Sequence, residues 1–393
     1  MKFDLLTRDE CQAITKSSEA FFCMTKHIEG QVVELYDYRL ASISDFVDNK
    51  AFELRGLCFV QDPATLEWTR NLLLNKFFNI NQTIGWMYEE VKGKKVTRVQ
   101  NKEDGSVVSF VKFKNGNIRA KSKMSFESDQ AVMAQEVYTT NCTIRMIVGR
   151  GLRTGFTPIF ELVSPDNQIV LEYQDTELVL LQIRNNETGE YLNPKFLFSE
   201  IEYYAIKTTQ NFRIEHPQVV LDVLLDAKTS NQEPIEGWVV TFEDGQMAKI
   251  KTDHYLSLHG LIGPDAFREN LLVKTILDGN IDDVISALVP GIKRDKLIEM
   301  SNLVEANFNH LVVEFKELRR KYFQDFKEDR KSFAIAHRTK VAFGGVMKTI
   351  NSSFRDVEQV AEEQVSHYIL KQCKSLGDAQ NYLNKLKESN NGI

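Results

Sequence analysis

Cysteine is sparse in this 393-residue chain and poorly spaced for binding chemistry. Cys11, Cys23, Cys58, Cys142 and Cys373 are scattered, odd in number and never arranged as CxxC. That pattern argues against a disulfide framework and a structural zinc site, and for a reducing cytoplasm. The seven histidines contain no HxxxH or HxH pair either. Long apolar runs are also missing, and a stretch such as Leu178–Leu181 is far too short to span a bilayer. Met1-Lys2-Phe3-Asp4 leads into Thr7-Arg8-Asp9-Glu10, without the apolar core of a secretory leader. The expectation is a soluble, cytoplasmic protein with no membrane partner. No long Pro/Gly/Ser linker, low-complexity tract or internal repeat interrupts it.

What the chain does have is ordinary globular material, 42% hydrophobic and 26% charged. Its length suits two domains better than one small core. The net charge of −6 does not announce a polyanion binder, but its distribution is uneven. Lys92–Lys123 holds ten Lys/Arg against Glu103 and Asp104, and Val313–Lys348 holds ten against five acids. Two basic islands in an acidic chain can focus a polyanion onto particular faces, although solvated surface charge reads the same way.

The texture changes near residue 260. Before it, Gln31–Tyr36, Val107–Val111, Thr157–Glu161, Gln168–Tyr173, Glu177–Ile183 and Gly237–Phe242 read as strands. Asn115-Gly116 marks a hairpin between Val107–Lys114 and Asn117–Lys123. Helical patches are expected at about Arg8–His27, Leu66–Phe78 and Pro217–Asp226. Beyond residue 260, Leu303, Phe308, Leu311, Phe315, Leu318 and Tyr322 recur at mostly helical spacing, as do Val357, Val360, Val365, Tyr368 and Ile369. The spacing predicts an α+β domain over 1–258 and an all-helical domain over 259–393.

Within the first domain, Lys102-Glu103-Asp104-Gly105 alone is a weak signal, since Asp-Gly is also turn chemistry. Its weight comes from the motifs that succeed it along the chain: Lys121-Ser-Lys123, Phe160-Glu161, Glu236-Gly237-Trp238 and Lys249-Ile-Lys251. A lysine amine is a nucleophile only when neutral, whereas an unperturbed lysine titrates at about 10.4. Neighbouring positive charge, from a metal ion or from Lys249 or Lys251, would favour the free amine. Glu161 stands between Ile159-Phe160 and Leu162-Val163, where an unpartnered buried carboxylate is costly. A ribose hydroxyl or a hydrated cation would partner it. Gly237 beside Glu236 would let backbone approach a ligand closely.

This order resembles the motifs of covalent nucleotidyltransferases, the superfamily of DNA ligases, RNA ligases and mRNA capping enzymes. The runs Lys102–Ser109, Asn185–Tyr191, Lys249–Asp253, Tyr255 and Ser257-Leu-His259 narrow the resemblance to the RNA ligase 1 family of T-even bacteriophages. So do Tyr38, Arg55-Gly56, Lys76-Phe-Phe78, Lys274–Gly279 and Asp282-Asp283. The likeness thins after about residue 290.

The resemblance implies an ATP- and Mg2+-dependent RNA ligase with an N-terminal adenylyltransferase domain of antiparallel sheets. Lys102 would carry AMP. Tyr38, Arg55, Lys76, Glu161, Glu236, Lys249 and Lys251 would bind ATP, with Glu161, Glu236, Lys249 and Lys251 also serving catalysis. Phe78, Asp104, Gly105, Lys123, Gly237 and Tyr255 would support ligation, and Asp282 would be associated with magnesium. The helical domain would select RNA, with a tRNA broken in its anticodon loop as the expected substrate. No kinase or phosphatase motif is visible, so a separate end-healing enzyme is the expected functional partner. If the chain is phage-encoded, the compartment is the host cytoplasm. The rival readings are a DNA ligase, a capping guanylyltransferase, or a noncatalytic RNA-binding protein. The first two usually carry an OB-fold after Lys-x-Lys, and strands for one are not visible beyond residue 260.

Overall fold

Short strands, many of them buried over consecutive residues, build the N-terminal two thirds of the computed structural model, which describes all residues except 1–2, 4, 194–196, 200–205, 210, 213, 215, 232, 234, 259–266, 289–290, 352–355 and 392–393. Helix α1 (Arg8–Ser17) begins at a capping box in which the Thr7 hydroxyl accepts from the Glu10 amide. The helix expected through His27 stops at Ser17, because Phe21–Ile28 is strand β1. It pairs antiparallel with β2 (Gln31–Tyr38), followed by β3 (Leu57–Gln61) and β4 (Trp68–Asn71). The helix expected over Leu66–Phe78 is therefore absent. Trp68–Asn71 hydrogen-bonds to β3 instead, and sheet pairing overrides the local apolar spacing.

A second sheet has the order β11 (Tyr191–Leu192), β10 (Glu177–Asn185), β9 (Phe156–Val163), β7 (Ser106–Lys112) and β8 (Ile118–Lys121). The β7–β8 hairpin closes at Asn115-Gly116, as its turn chemistry predicts, with Phe113 N donating to Asn117 O at 2.8 Å. Helices α4 (Asp129–Thr140) and α5 (Cys142–Arg153) cover one face. Ala134, Ile144, Ile147 and Val148 there join Val108, Phe110, Phe160 and Leu180 in one apolar core.

The third sheet runs β5 (Phe78–Asn79), β13 (Met247–Lys251), β12 (Gly237–Phe242) and β6 (Val96–Lys102). Its β5–β13 pair is parallel, and the other strand pairs in all three sheets are antiparallel. Its core includes Val99, Trp238, Val240 and Ile250, with Leu221 and Leu224 from α6 (Val220–Ser230). Gln168–Tyr173, expected as a strand, is not one. Val170 N and Leu171 N donate to the Asp104 carboxylate rather than to a neighbouring strand.

Contacts divide the chain into two units, 1–38 with 43–260, and 39–42 with 261–393. The expected boundary at 258/259 abuts residues 259–266, so it and His259 lie outside the described residues. The second unit is helical wherever it has regular structure: α8 (Glu269–Leu277), α9 (Ile281–Ala287), α10 (Ile292–Gln324), α11 (Arg330–His337), α12 (Phe343–Thr349), α13 (Val357–Gln372) and α14 (Leu376–Asn391). Phe308, Leu311, Phe315, Leu318 and Tyr322 form the buried stripe of α10. The phenylalanines of the second basic island mostly pack together. Phe333 is fully buried and touches Tyr322, Phe326 and Phe343, whereas Phe323 is 38% exposed. The α+β class, antiparallel in most of its pairings and helical toward the C-terminus, agrees with the sequence reading. No helix among the described residues is long and apolar enough to cross a membrane.

Candidate active site

Lys102 ends β6 in the third sheet, and four residues later Ser106 begins β7 in the second. The Lys-x-Asp-Gly segment is thus the step between two sheets. On one side, Gly237 of β12 lies directly opposite both Lys102 and Lys251. Residues opposite one another in antiparallel strands project to the same face, so both lysines rise beside a residue without a side chain. Gly237 has φ +148°, and a Cβ there would sit 2.0 Å from the Ile250 carbonyl oxygen. The preceding Glu236 bridges the two ammonium groups. Lys102 Nζ donates to Oε2 at 2.6 Å, and Lys251 Nζ lies 2.9 Å from Oε1. The Lys102 side chain is 24% exposed and that of Glu236 only 3%, so the amine is reachable while its counter-ion is enclosed.

Two buried carboxyl groups here are driven in opposite directions. Burial pushes Glu236 upward, but Lys102 and Lys251 outweigh it and hold the group below the usual carboxylate range. Glu161, in β9 opposite Val107 and Val179, is pushed up to about 8. Burial is the main cause; Glu236 and Glu103 add repulsion, while Lys102 and Arg55 oppose it. Among the described residues the Glu161 carboxyl has no hydrogen-bond partner. Glu103 is also raised, chiefly by burial.

Asp104 does not face this opening. It is 1% exposed, and its carboxylate accepts from Val170 N at 2.9 Å, Leu171 N at 2.7 Å and the Tyr255 hydroxyl at 2.8 Å. Asp104 N in turn donates to the Tyr173 hydroxyl at 3.1 Å. Asp104 and Tyr255 therefore hold the Lys-x-Asp-Gly segment from below. Gly105 completes the step where no side chain fits: a Cβ would lie 2.2 Å from the Leu162 carbonyl oxygen. The Tyr255 ring also lies under the Lys251 ammonium, at 5.3 Å.

A second group of expected residues gathers around Tyr38, at the end of β2. Lys76 and Lys123 hold their ammonium groups 5.1 and 5.3 Å from its ring centre. Burial would raise the Tyr38 phenol, but Lys76, Lys123 and Arg55 together lower it to about 8. Arg55 acts electrostatically on both Tyr38 and Glu161, so it connects the two groups. Phe78 is 1% exposed and packs against Phe46 and Trp86, with the Lys76 ammonium 5.3 Å from its ring. It is a floor under Lys76, not an exposed stacking surface.

Lys249 shares the face of Lys251 on β13, two residues back, beside Asn79 of β5. Asp282 lies in the first turn of α9, in the helical unit, where an acid suits the helix dipole. Among the described residues, no three His, Cys, Asp or Glu side chains group in a way that could hold a metal ion. Sequence reasoning assigned no role to Tyr173 or Lys121. Lys121 is fully buried, and its ammonium donates to the carbonyls of Gly56 at 2.8 Å and Ser122 at 3.3 Å. It ties the residue after Arg55 to the residue before Lys123. Burial pulls its pKa below the usual lysine value. The Lys-Ser-Lys spacing marked the segment, but nothing in it distinguished the buried lysine from the open one.

Comparison with known proteins bears on this geometry. A candidate RNA ligase from Thermovibrio ammonificans is 25% identical over 349 residues, covering 82% of this chain and 88% of that protein. Weaker structural likenesses include an archaeal ATP-dependent RNA ligase (TM-score 0.45, 11% identity, 91% of this chain and 94% of that one). Another is a Naegleria gruberi RNA ligase (TM-score 0.36, 16% identity, 65% and 84%). The family model for RNA ligase of the T4 type matches residues 53–255, a span that holds both Lys102 and Lys251 and makes up more than half of the chain. The chain belongs to the RNA ligase family of the T4 RNA ligase 1 type.

Proposed function

We propose that this RNA ligase joins 5′-phosphate and 3′-hydroxyl RNA ends with ATP, through AMP bound to Lys102. The observation that carries the reading is the Lys102–Glu236–Lys251 bridge, which sets a reachable amine beside a second cation. After losing a proton, Lys102 Nζ forms a bond to the α-phosphorus as the bond to pyrophosphate breaks. The RNA 5′-phosphate then displaces the lysine, giving an RNA–adenylate, and the 3′-hydroxyl displaces AMP. When Lys102 gives up its charge, Glu236 keeps Lys251 as its counter-ion. Lys251 and Lys249 share a face on which they can meet phosphate. The cations around Tyr38 suit the polyphosphate, Arg55 and Lys76 above all. The buried Glu161 carboxyl has two alternative partners, a ribose hydroxyl while it is protonated or a hydrated cation once it is ionised.

A divalent cation fits this donor set only with help from the nucleotide. Magnesium commonly takes one or two carboxylates together with phosphates and water. Glu161, once ionised, is the nearby carboxylate that the described residues leave without a hydrogen bond. Bound there, the ion would offset charge on the leaving pyrophosphate. Asp282 is a separate candidate that would act through the water shell of an ion.

The helical unit would select the RNA, with a tRNA broken in the anticodon loop as the proposed substrate and a separate enzyme healing the ends. The functional boundary is proposed at 258/259, adenylyltransferase before it and RNA selection after it. The decisive test is mass spectrometry after incubation with ATP and Mg2+. Wild type should gain one AMP, and Lys102→Ala should gain none while retaining much of its RNA affinity. A wild-type protein that never forms the adduct would leave the RNA-binding reading standing, and a GMP adduct would favour a capping enzyme.

A further inference from the structure

Along α10 the helical unit opens into two adjoining hollows of about 280 and 370 Å3. Both are lined by Leu311, Val341 and Tyr368, which places Tyr368 at their junction. The first has an apolar floor that includes Phe315 and Val365, a rim of Lys348, His367 and Lys371, and no acidic residue in its lining. The second adds Lys385 and side-chain amides. Its one carboxylate, Asp378, already accepts from Ser375 N and Oγ at 3.1 and 2.7 Å.

Some lysines of the unit are held in ion pairs and others are not. Lys316, Lys321, Lys340 and Lys387 are each paired with a glutamate. Among the described residues, Lys348, Lys371 and Lys385 have no carboxylate within salt-bridge distance. Cations without counter-ions around an aromatic floor suit a chain of phosphates bearing flat, partly apolar groups. A paired helix could meet the lysines but could not put its bases into the hollows, whereas unpaired nucleotides can do both.

We propose that this groove binds an unpaired stretch of RNA, with a base stacked on Tyr368 and flanking phosphates held by Lys348 and Lys371 on one side and Lys385 on the other. The assignment rests on the RNA ligase reading for its ligand class, and it locates where that ligand is gripped outside the catalytic unit.

The test compares the full-length wild type with a Lys348→Glu/Lys371→Glu double variant and with Tyr368→Ala. Fluorescence anisotropy would measure binding of a 5′-phosphorylated single-stranded oligoribonucleotide and of the same sequence in duplex form, across a salt series. Adduct formation with ATP is followed in parallel. The double variant should bind the single strand at least about tenfold more weakly, with a shallower salt dependence. Tyr368→Ala should lose about tenfold through lost stacking. Duplex affinity should change less, and the yield of AMP adduct should stay at the wild-type level. Unchanged single-strand affinity in the double variant, an equal loss for duplex, or a matching fall in adduct would overturn the proposal. Failure of the wild type itself to form an adduct would count against the ligase mechanism instead, because the binding comparison does not depend on it.

Discussion

Between Lys102 and Lys251 the chain places Gly237, and the site depends on that gap. Adding a methyl group would drive Cβ into the Ile250 carbonyl, 2.0 Å away, at a backbone angle that L residues resist. Gly237→Ala should therefore cost more than about 1 kcal/mol of stability and abolish most AMP adduct, as read by thermal unfolding and mass spectrometry. A stable, fully active variant would mean that β12 and β13 can part without disturbing the lysines. Glu161 makes a pH-dependent prediction. Its carboxyl is raised from 4.5 to about 8, so the folded state holds a proton that the unfolded state releases near its ordinary value. Its favourable contribution is complete below about pH 4.5 and declines as pH rises through about 8. Relative to Glu161→Gln, which stays neutral, wild type should lose stability over that window and level off above it. Parallel melting curves for the two proteins across the window would refute the assignment. At this scale the motif residues were legible because chemistry restricts them to few residue types. Whether Asp104 met ligand or backbone was not legible, since a carboxylate serves either.

At the scale of elements, the step from β6 to β7 is held by a segment that has no regular structure itself. Asp104 binds Val170 N, Leu171 N and the Tyr255 hydroxyl of α7 (Asp253–Leu258), so three stretches of chain meet at one carboxylate. Asp104→Ala would leave these donors without their acceptor, at about 1–3 kcal/mol for each that stays buried. Denaturant unfolding should show the loss, and hydrogen exchange should speed up selectively at Val170 and Leu171. Uniform exchange across the sheets would instead indicate global destabilisation without a local latch. The same contact explains why Gln168–Tyr173, which reads as a strand, is not one. Ile169, Val170 and Leu171 carry strand-forming side chains, but the amides of Val170 and Leu171 are taken by a residue more than sixty positions away. Trp68–Asn71 failed as a helix for the complementary reason, because β3 offered it a paired edge.

For the whole molecule, the division into two units does not follow the chain strictly. Residues 39–42 group with the helical unit, although Tyr38 immediately before them belongs to the other one. Arg39, 5% exposed, is anchored there by a hydrogen-bonded ion pair with Glu358, whose other oxygen meets the Lys316 ammonium. Glu358→Ala would leave Arg39 its longer contact with Glu362, 3.6 Å from Nε, so the variant should destabilise the helical unit by up to about 3–5 kcal/mol, the cost of breaking a buried pair. Circular dichroism in denaturant would read this as early loss of helical signal. An unshifted transition would show that Arg39 finds solvent at little cost.

From the sequence alone, the family, the order of its motifs along the chain and the change from strands to helices near residue 260 could be read. These depend on residue type and local period, which travel with the chain. Tertiary structure alone decided that Glu236 bridges two lysines, that burial raises the Glu161 carboxyl, that Asp104 accepts from two backbone amides and Tyr255, and that Lys121 is buried. Each of those properties is set by desolvation or by a contact between residues distant in sequence. Local pattern carries no record of either until the sheets meet.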